Sequence, residues 1–176
     1  MRRLFILAAV LGTLLGGVAL AETARAQASL SEEHIYRIRQ NCVTAQTSLR
    51  QLHASDALLR VNRGQLYELI STKLMAPLNS RITLSRLGGL KLTATTLEYD
   101  RQIDVFRESY KQYEESMSRT LKINCVDQPV EFYDSVTATR EKREKLHEDT
   151  KTLTILLQAY KTEFDSFAKE FKENTQ

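Results

Sequence analysis

In this chain of 176 residues, few groups of side chains have both the residue types and the spacing that catalysis or metal binding requires. Glu144 and His147 stand three residues apart, which is the spacing of two metal ligands in di-iron helix bundles. Such sites need a second Glu-x-x-His pair and two more carboxylates, yet no glutamate precedes His34 or His53 by three residues. We therefore expect no metal ion and interpret His147 as part of a solvated helix face.

A serine nucleophile has as little support. Ser166 and Lys169 match the Ser-x-x-Lys spacing of penicillin-binding enzymes, but the companion motifs of those enzymes do not occur in the sequence. Gly64 lies inside a helical pattern with no strand before it, so it indicates a bend or a close helix contact rather than a phosphate loop. The sequence predicts a protein that is not an enzyme and needs no cofactor.

The N-terminus has the layout of an export signal. Arg2 and Arg3 precede an apolar stretch over residues 4–21, and the Ala-Arg-Ala at residues 24–26 fits the small-x-small cleavage rule. We expect cleavage of residues 1–26, which leaves residues 27–176 as one exported helical domain. An uncleaved anchor is the alternative, because the apolar stretch is near the lower limit of the roughly 17–25 residues that span a bilayer.

Loss of this signal changes the charge balance. The whole chain has 25 Lys and Arg against 22 Asp and Glu, and residues 27–176 keep 22 against 21, a net of +1. The densest basic run contains interleaved acidic residues, as on a solvated helix face: Glu141, Lys142, Arg143, Glu144, Lys145, Glu148 and Asp149. A nucleic-acid partner requires a clustered positive surface. We expect no such partner, and membrane contact only if the apolar segment is retained.

Cys42 and Cys125 are the two cysteines of the chain. Outside the cytosol such a pair most simply forms a disulfide, and two buried free thiols are the alternative. In the chain-entropy picture, a bond that closes a loop of more than 80 residues stabilises the fold by roughly 4–5 kcal/mol.

Apolar residues recur at alternating spacings of four and three, which is typical of heptad seams in helical bundles. The middle third has the seam Leu92, Thr96, Tyr99, Ile103, Phe106, Tyr110, Tyr113, Met117 and Thr120. The last third has the seam Phe132, Val136, Thr139, Arg143, Leu146, Thr150, Leu153, Leu157, Tyr160, Phe164, Phe167 and Phe171. The first third has a seam that weakens beyond Leu52, where Asp56, Arg63 and Lys73 interrupt it. These patterns predict an all-α fold.

Three long helices are expected to form an elongated antiparallel three-helix bundle or coiled coil. They cover residues 30–76, 93–123 and 128–172. Pro77 removes a backbone donor and predicts a kink or the end of the first helix nearby. Residues 77–91 then form a separate short cap segment.

The expected disulfide favours a separate cap segment over a first helix that continues through residues 77–87. Two arms of equal length place Cys42 level with Cys125, and a disulfide needs Cα atoms within about 7 Å. In a rival register the first helix continues to a turn at Gly88 and Gly89. That register offsets the cysteines by roughly 15 Å of helical rise.

Two features of the last helix carry further expectations. The rings of Phe164, Phe167 and Phe171 are expected to cover apolar side chains of the cap, and bare rings would instead form a partner surface. The cap side chains are Leu78, Ile82, Leu84, Leu87 and Leu90. Arg143 interrupts the seam, and its level in the bundle predicts Glu108 or Tyr110 as a buried partner, unless helix packing turns it towards solvent.

Two stretches carry a resemblance to known sequences. One is NRGQLYELI at residues 62–70 with PLNSR at residues 77–81, and the other is YKQYE at residues 110–114 with the NC and QP pairs that follow it. They resemble uncharacterised exported helical proteins of candidate-phylum bacteria with small genomes. That resemblance implies no known activity and transfers no site residues. In layout alone the chain is similar to the Skp-type periplasmic chaperones, which also have a signal and long helical arms.

The leading hypothesis is a non-enzymatic envelope or secreted protein that acts as a protein-binding module or structural spacer. A holdase chaperone for unfolded exported clients is the first alternative, and a metal-binding bundle or enzyme that uses His147 is the second. The identity of a protein partner is open, and a homo-oligomer is compatible with the seams.

Overall fold

The computed structural model describes residues 30–174, and it confirms an all-α antiparallel three-helix bundle in this range. Helix α1 covers Glu32–Leu69 and leads through a π-helical stretch, Ile70–Met75, into α2 at Ala76–Leu84. Helix α3 covers Leu90–Thr120, and α4 covers Pro129–Glu173. The expected export signal at residues 1–26 lies outside the described residues.

Side chains near the predicted boundaries start the helices. Ser31 caps α1, because its hydroxyl accepts a hydrogen bond from the backbone N–H of His34 at 3.3 Å. Pro129 opens α4, as its fixed φ and missing donor favour. The loop before α4 is held by Asn124, whose side-chain oxygen accepts the N–H groups of Val126 and Asp127.

The predicted break at Pro77 is confirmed as a change of helix form: the first helical stretch reaches Met75, and the short segment beyond it exists as α2. The path stays helical from Glu32 to Leu84. Just before the proline the helix widens, so that the N–H of Ala76 bonds to the carbonyl of Ser71, five residues back. This wider turn accommodates a residue whose ring clashes with the carbonyl four residues back in a regular α-helix.

The chain reverses after Leu84, through a turn at residues 85–89. The N–H of Arg86 bonds to Thr83, and the N–H of Leu87 bonds to Ile82, each at 3.0 Å. This pair of bonds is a Schellman motif, which needs a left-handed residue at its corner. Arg86 occupies that corner with φ of 56°, although glycine is the usual residue there.

This turn and the disulfide coexist, whereas the sequence presents them as alternatives. Cys42 precedes the end of α2 by 42 residues, but Cys125 follows the start of α3 by 35. The wide π-helical turn shortens the first arm. After Thr120 the chain leaves the helix and can advance by up to about 3.3 Å per residue instead of 1.5 Å. The two cysteines meet despite this difference in arm length, with Cα atoms 5.5 Å apart.

The core lies mainly between α3 and α4, and α1 packs across them. All nine seam residues predicted in α3 are buried. Near the tip, Asn79 of α2 donates to Thr96 of α3 at 2.7 Å and accepts from the hydroxyl of Tyr160 of α4 at 3.2 Å. This buried amide therefore joins three helices. In contrast, α1 buries three residues: Cys42, Asp56 and Tyr67.

Candidate functional site

The N-terminal half of α1 is fastened to the loop between α3 and α4. Cys42 and Cys125 form the expected disulfide, with Cα atoms 5.5 Å apart, and both pack against Phe132. Arg39 donates to the carbonyl of Val126 at 3.1 Å, and Gln46 donates to the carbonyl of Ile123 at 2.8 Å. The disulfide thus sits within a set of polar contacts that hold the same two segments together.

Farther along α1, Asp56 is the buried centre of a contact among three helices. The Nε of Arg143 on α4 donates to its Oδ2 at 2.7 Å, and the Nη2 donates to its Oδ1 at 3.1 Å. The hydroxyl of Tyr113 on α3 donates to the same Oδ2 at 2.7 Å. Neither Glu108 nor Tyr110 is the partner of Arg143, so that expectation is wrong. It considered only α3 and α4, whereas α1 supplies the carboxylate.

The three groups change each other's proton affinity. Burial alone would raise the pKa of Asp56, but the hydrogen bonds from Arg143 and Tyr113 outweigh burial and hold that pKa below its ordinary value. Burial and the bond to Asp56 raise the pKa of the Tyr113 hydroxyl. The hydrogen bond to Asp56 also raises the pKa of Arg143. The carboxylate and the guanidinium therefore both stay charged at neutral pH.

The outer face of α1 is defined here as the side of this helix that points away from α3 and α4. At about 100° per residue, Leu58 lies opposite the buried Cys42, Asp56 and Tyr67. The exposed apolar members of this face between residues 40 and 69 are Val43, Ala54, Leu58, Val61, Leu66 and Leu69. Its uncharged polar members are Gln40, Thr44, Thr47, Ser48, Gln51, Ser55, Asn62 and Gln65.

Charged side chains are scarce on this face. Over residues 40–69 it carries Arg50 in its first half and Glu68 near its C-terminal end, and Glu68 pairs with Arg107 of α3. Solvent-facing helix sides normally carry charged residues, so this sparsely charged face with its exposed leucines and valines is a candidate contact surface. The sequence does not reveal this face, because the seam of α1 weakens beyond Leu52 and its spacing does not decide which side of the helix faces the bundle.

The phenylalanines of α4 take different environments. Phe167 packs partly buried against the apolar cluster that contains Ile82, and its ring stacks on that of Phe171 with centroids 6.3 Å apart. Phe164 and Phe171 keep exposed surface. The rings leave two apolar residues of the tip in solvent, since Leu84 is 83% and Leu90 is 88% exposed. A partner surface at these rings stays a prediction.

The residues considered for catalysis or metal binding are not brought together. His147 and Glu144 are exposed, and residues 30–174 contain no group of three or more His, Cys, Asp or Glu that could hold a metal ion. Ser166 donates to the carbonyl of Thr162 in its own helix at 3.1 Å. These side chains make the local contacts of ordinary helix residues.

One buried carboxylate had no signal in the sequence. Asp149 lies beside the heptad seam of α4, but its side chain is buried. Its Oδ1 accepts hydrogen bonds from Lys145 and, at 3.4 Å, from Gln102 of α3. The sequence does not single out Asp149, because Glu141, Glu144 and Glu148 place an acidic residue in each successive turn of this segment.

The fold and these contacts define a class, the all-α bundle with one disulfide and a long, sparsely charged outer helix. No family model, curated protein or solved structure matches the chain. Within residues 30–174, none of the helices has the length and apolar character needed to cross a bilayer. Evidence about function therefore comes from the surfaces of this chain itself.

Proposed function

We propose that this chain is a non-enzymatic exported protein that acts as a structural spacer and protein-binding module, and that its outer face of α1 binds a second copy. The outer face carries this proposal. It leaves Leu58, Val61 and Leu69 in solvent along about 45 Å of helix from residue 40 to residue 69. Export is supported by the disulfide, because such bonds persist in oxidising compartments.

Self-association is favoured because the face is complementary to itself in an antiparallel arrangement. The proposed two-fold axis lies between the two copies, perpendicular to α1 and level with the midpoint of Leu58 and Val61. It places Leu58 of each copy against Val61 of the other. The same axis brings Arg50 level with Glu68 of the other copy at both ends, so each glutamate can pair with that arginine as well as with Arg107 of its own chain. A parallel arrangement would place each of these charges beside its own kind.

The state of association tests this proposal. Sedimentation velocity over a range of concentrations is expected to show a dimer for the unaltered protein and a monomer for Leu58→Glu, because two carboxylates would be buried at the axis. Leu97→Glu on α3 is the matched control, since Leu97 is 61% exposed and Leu58 is 68% exposed. That control should remain dimeric. A monomeric unaltered protein, or equal dissociation in both variants, contradicts the proposal.

Charge reversal tests the antiparallel direction. Arg50→Glu is expected to weaken the dimer, because the new carboxylate would face Glu68 of the other copy. Arg119→Glu makes the same change of charge in the last turn of α3, away from this face, and should leave the dimer intact. Equal weakening in both variants would exclude this register.

A holdase chaperone is the second candidate, because the exposed leucines of α1 could bind unfolded chains. This function predicts that the protein suppresses the aggregation of a heated client protein. Leu58→Glu should then reduce suppression, whereas Leu97→Glu should not. An unaltered protein without any effect on aggregation would remove the candidate.

A further inference from the structure

A half-open cleft lies beside the ion pair of Asp56 and Arg143, where α1 crosses α3 and α4. Its volume is about 140 Å³. Leu59, Phe106 and Leu146 supply apolar walls to the cleft.

The polar lining of the cleft is mainly cationic. Arg60, Arg63, Arg143 and His147 border it, and Asp56 is its one carboxylate. That carboxylate is already engaged by two hydrogen bonds from Arg143 and one from Tyr113. It therefore balances one of the three arginines and leaves two positive charges at the cleft.

The other two arginines have no carboxylate of their own within residues 30–174. The guanidinium carbon of Arg60 lies 4.6 Å from the centre of the Tyr110 ring, a cation–π contact that orients the group without neutralising it. Arg63 forms no ion pair or side-chain hydrogen bond with any residue in the described part of the chain. Guanidinium groups bind carboxylates through paired hydrogen bonds, so two such groups beside an apolar wall favour an anion.

The size of the cleft limits what its apolar part can hold. A protein cavity of roughly 150 Å³ lined by apolar side chains holds a benzene molecule. The cleft is of similar volume and offers Phe106 as a ring contact. A bare inorganic anion would leave that wall without a partner, and a neutral hydrocarbon would leave the guanidinium groups without one.

We infer that this cleft binds a small organic carboxylate with an aromatic or branched apolar body. The carboxylate accepts hydrogen bonds from Arg60 and Arg63, while the body packs on Leu59, Phe106 and Leu146. This site is independent of the outer face of α1.

Calorimetric titration with 3-phenylpropionate tests this inference on the whole protein. We expect binding by 3-phenylpropionate and at least about tenfold weaker binding by its neutral analogue, 3-phenylpropan-1-ol, which lacks the charge-assisted bonds. Inorganic phosphate, which has charge but no apolar body, should also bind at least about tenfold more weakly. No binding of 3-phenylpropionate, or equal affinity for either comparison compound, overturns the inference.

Two matched variants locate the binding. Arg63→Gln is expected to lower the affinity for 3-phenylpropionate by about tenfold, because it removes one charged donor. Arg119→Gln makes the same change in net charge in the last turn of α3, away from the cleft and from the outer face of α1, and should alter the affinity by less than about twofold. Equal losses in both variants would show bulk attraction by net charge and would overturn the assigned site. Amide NMR shifts confined to the residues of the cleft would support it.

Discussion

Asp56 on α1 and Arg143 on α4, 87 residues apart in the chain, form a two-point ion pair with N–O distances of 2.7 and 3.1 Å. Asp56 is buried, whereas the Arg143 side chain keeps 47% of its surface exposed. The pair holds the middle of α1 against the other helices, between the disulfide and the apolar cluster at the tip. It also explains why two polar residues interrupt otherwise apolar seams.

Breaking this pair should destabilise the bundle. Arg143→Met is expected to lower the free energy of unfolding by about 1–3 kcal/mol, because Asp56 then keeps one hydrogen bond, from Tyr113. Urea unfolding of Arg143→Met, Asp56→Asn and the double variant should show a coupling of about 0.5–3 kcal/mol between the two sites. Arg140→Met, one turn earlier on the exposed side of α4, should change stability by less than about 0.5 kcal/mol. A coupling of zero would contradict the assigned role.

The same pair makes stability depend on acid. The pKa of Asp56 is lower in the folded protein than in the unfolded chain, so the folded state favours the charged carboxylate. This contribution is present above the unfolded-state pKa of about 4 and is lost as the pH falls through the lower, folded-state value. The difference in unfolding free energy between the unaltered protein and Asp56→Asn should be largest near pH 7 and smaller near pH 3. A difference that is independent of pH would oppose this explanation.

Reduction of the disulfide should release the first part of α1. Because Cys42 and Cys125 are 83 residues apart, the chain-entropy estimate of the stability lost on reduction is about 4–5 kcal/mol. Hydrogen exchange should rise most in α1 near residue 42, where few side chains are buried, and less in α3 and α4. The variant with both cysteines changed to alanine is the control, and added reductant should not alter its stability. Equal unfolding of oxidised and reduced protein would refute the prediction.

The two adjacent glycines of the turn should respond differently to alanine. A Cβ at Gly89 would lie 2.5 Å from the Cγ2 of the buried Ile82, which is too close without displacement. A Cβ at Gly88 meets no atom within 4 Å. Gly89→Ala should therefore lose about 1–3 kcal/mol of stability, and Gly88→Ala should stay within about 1 kcal/mol of the parent. Thermal unfolding compares them, and similar melting temperatures for both would argue against this packing.

The left-handed corner at Arg86 predicts a stabilising change. Arg86→Gly should raise the free energy of unfolding by about 0.5–1 kcal/mol, because glycine adopts φ of 56° without the steric cost that an arginine bears. Ser85→Gly is the comparison, since Ser85 has φ of −80° and gains nothing from glycine. Chemical denaturation should rank Arg86→Gly above the parent and Ser85→Gly below it. The reverse order would contradict the assignment of the turn.

Local periodicity explains the parts of the fold that were predictable. The α3 seam from Leu92 to Thr120 follows from regular spacing alone, and every member of it is buried. The disulfide was predictable from the presence of two cysteines behind an expected export signal. The candidate surfaces were not, because the outer face of α1 and the cleft depend on how α1 is rotated about its axis. That rotation is set by contacts such as Asp56 with Arg143, which lie far apart in the sequence.

By itself the sequence determined that the described chain is helical and which side of α3 is buried, and it favoured a bond between Cys42 and Cys125, because heptad spacing and cysteine number are local or countable properties. The tertiary structure decided that the helix passes Pro77 through a widened turn and that Arg143 faces Asp56. It also decided that Leu58 faces solvent. These outcomes depend on how three helices share limited space, and no single stretch of sequence contains that information.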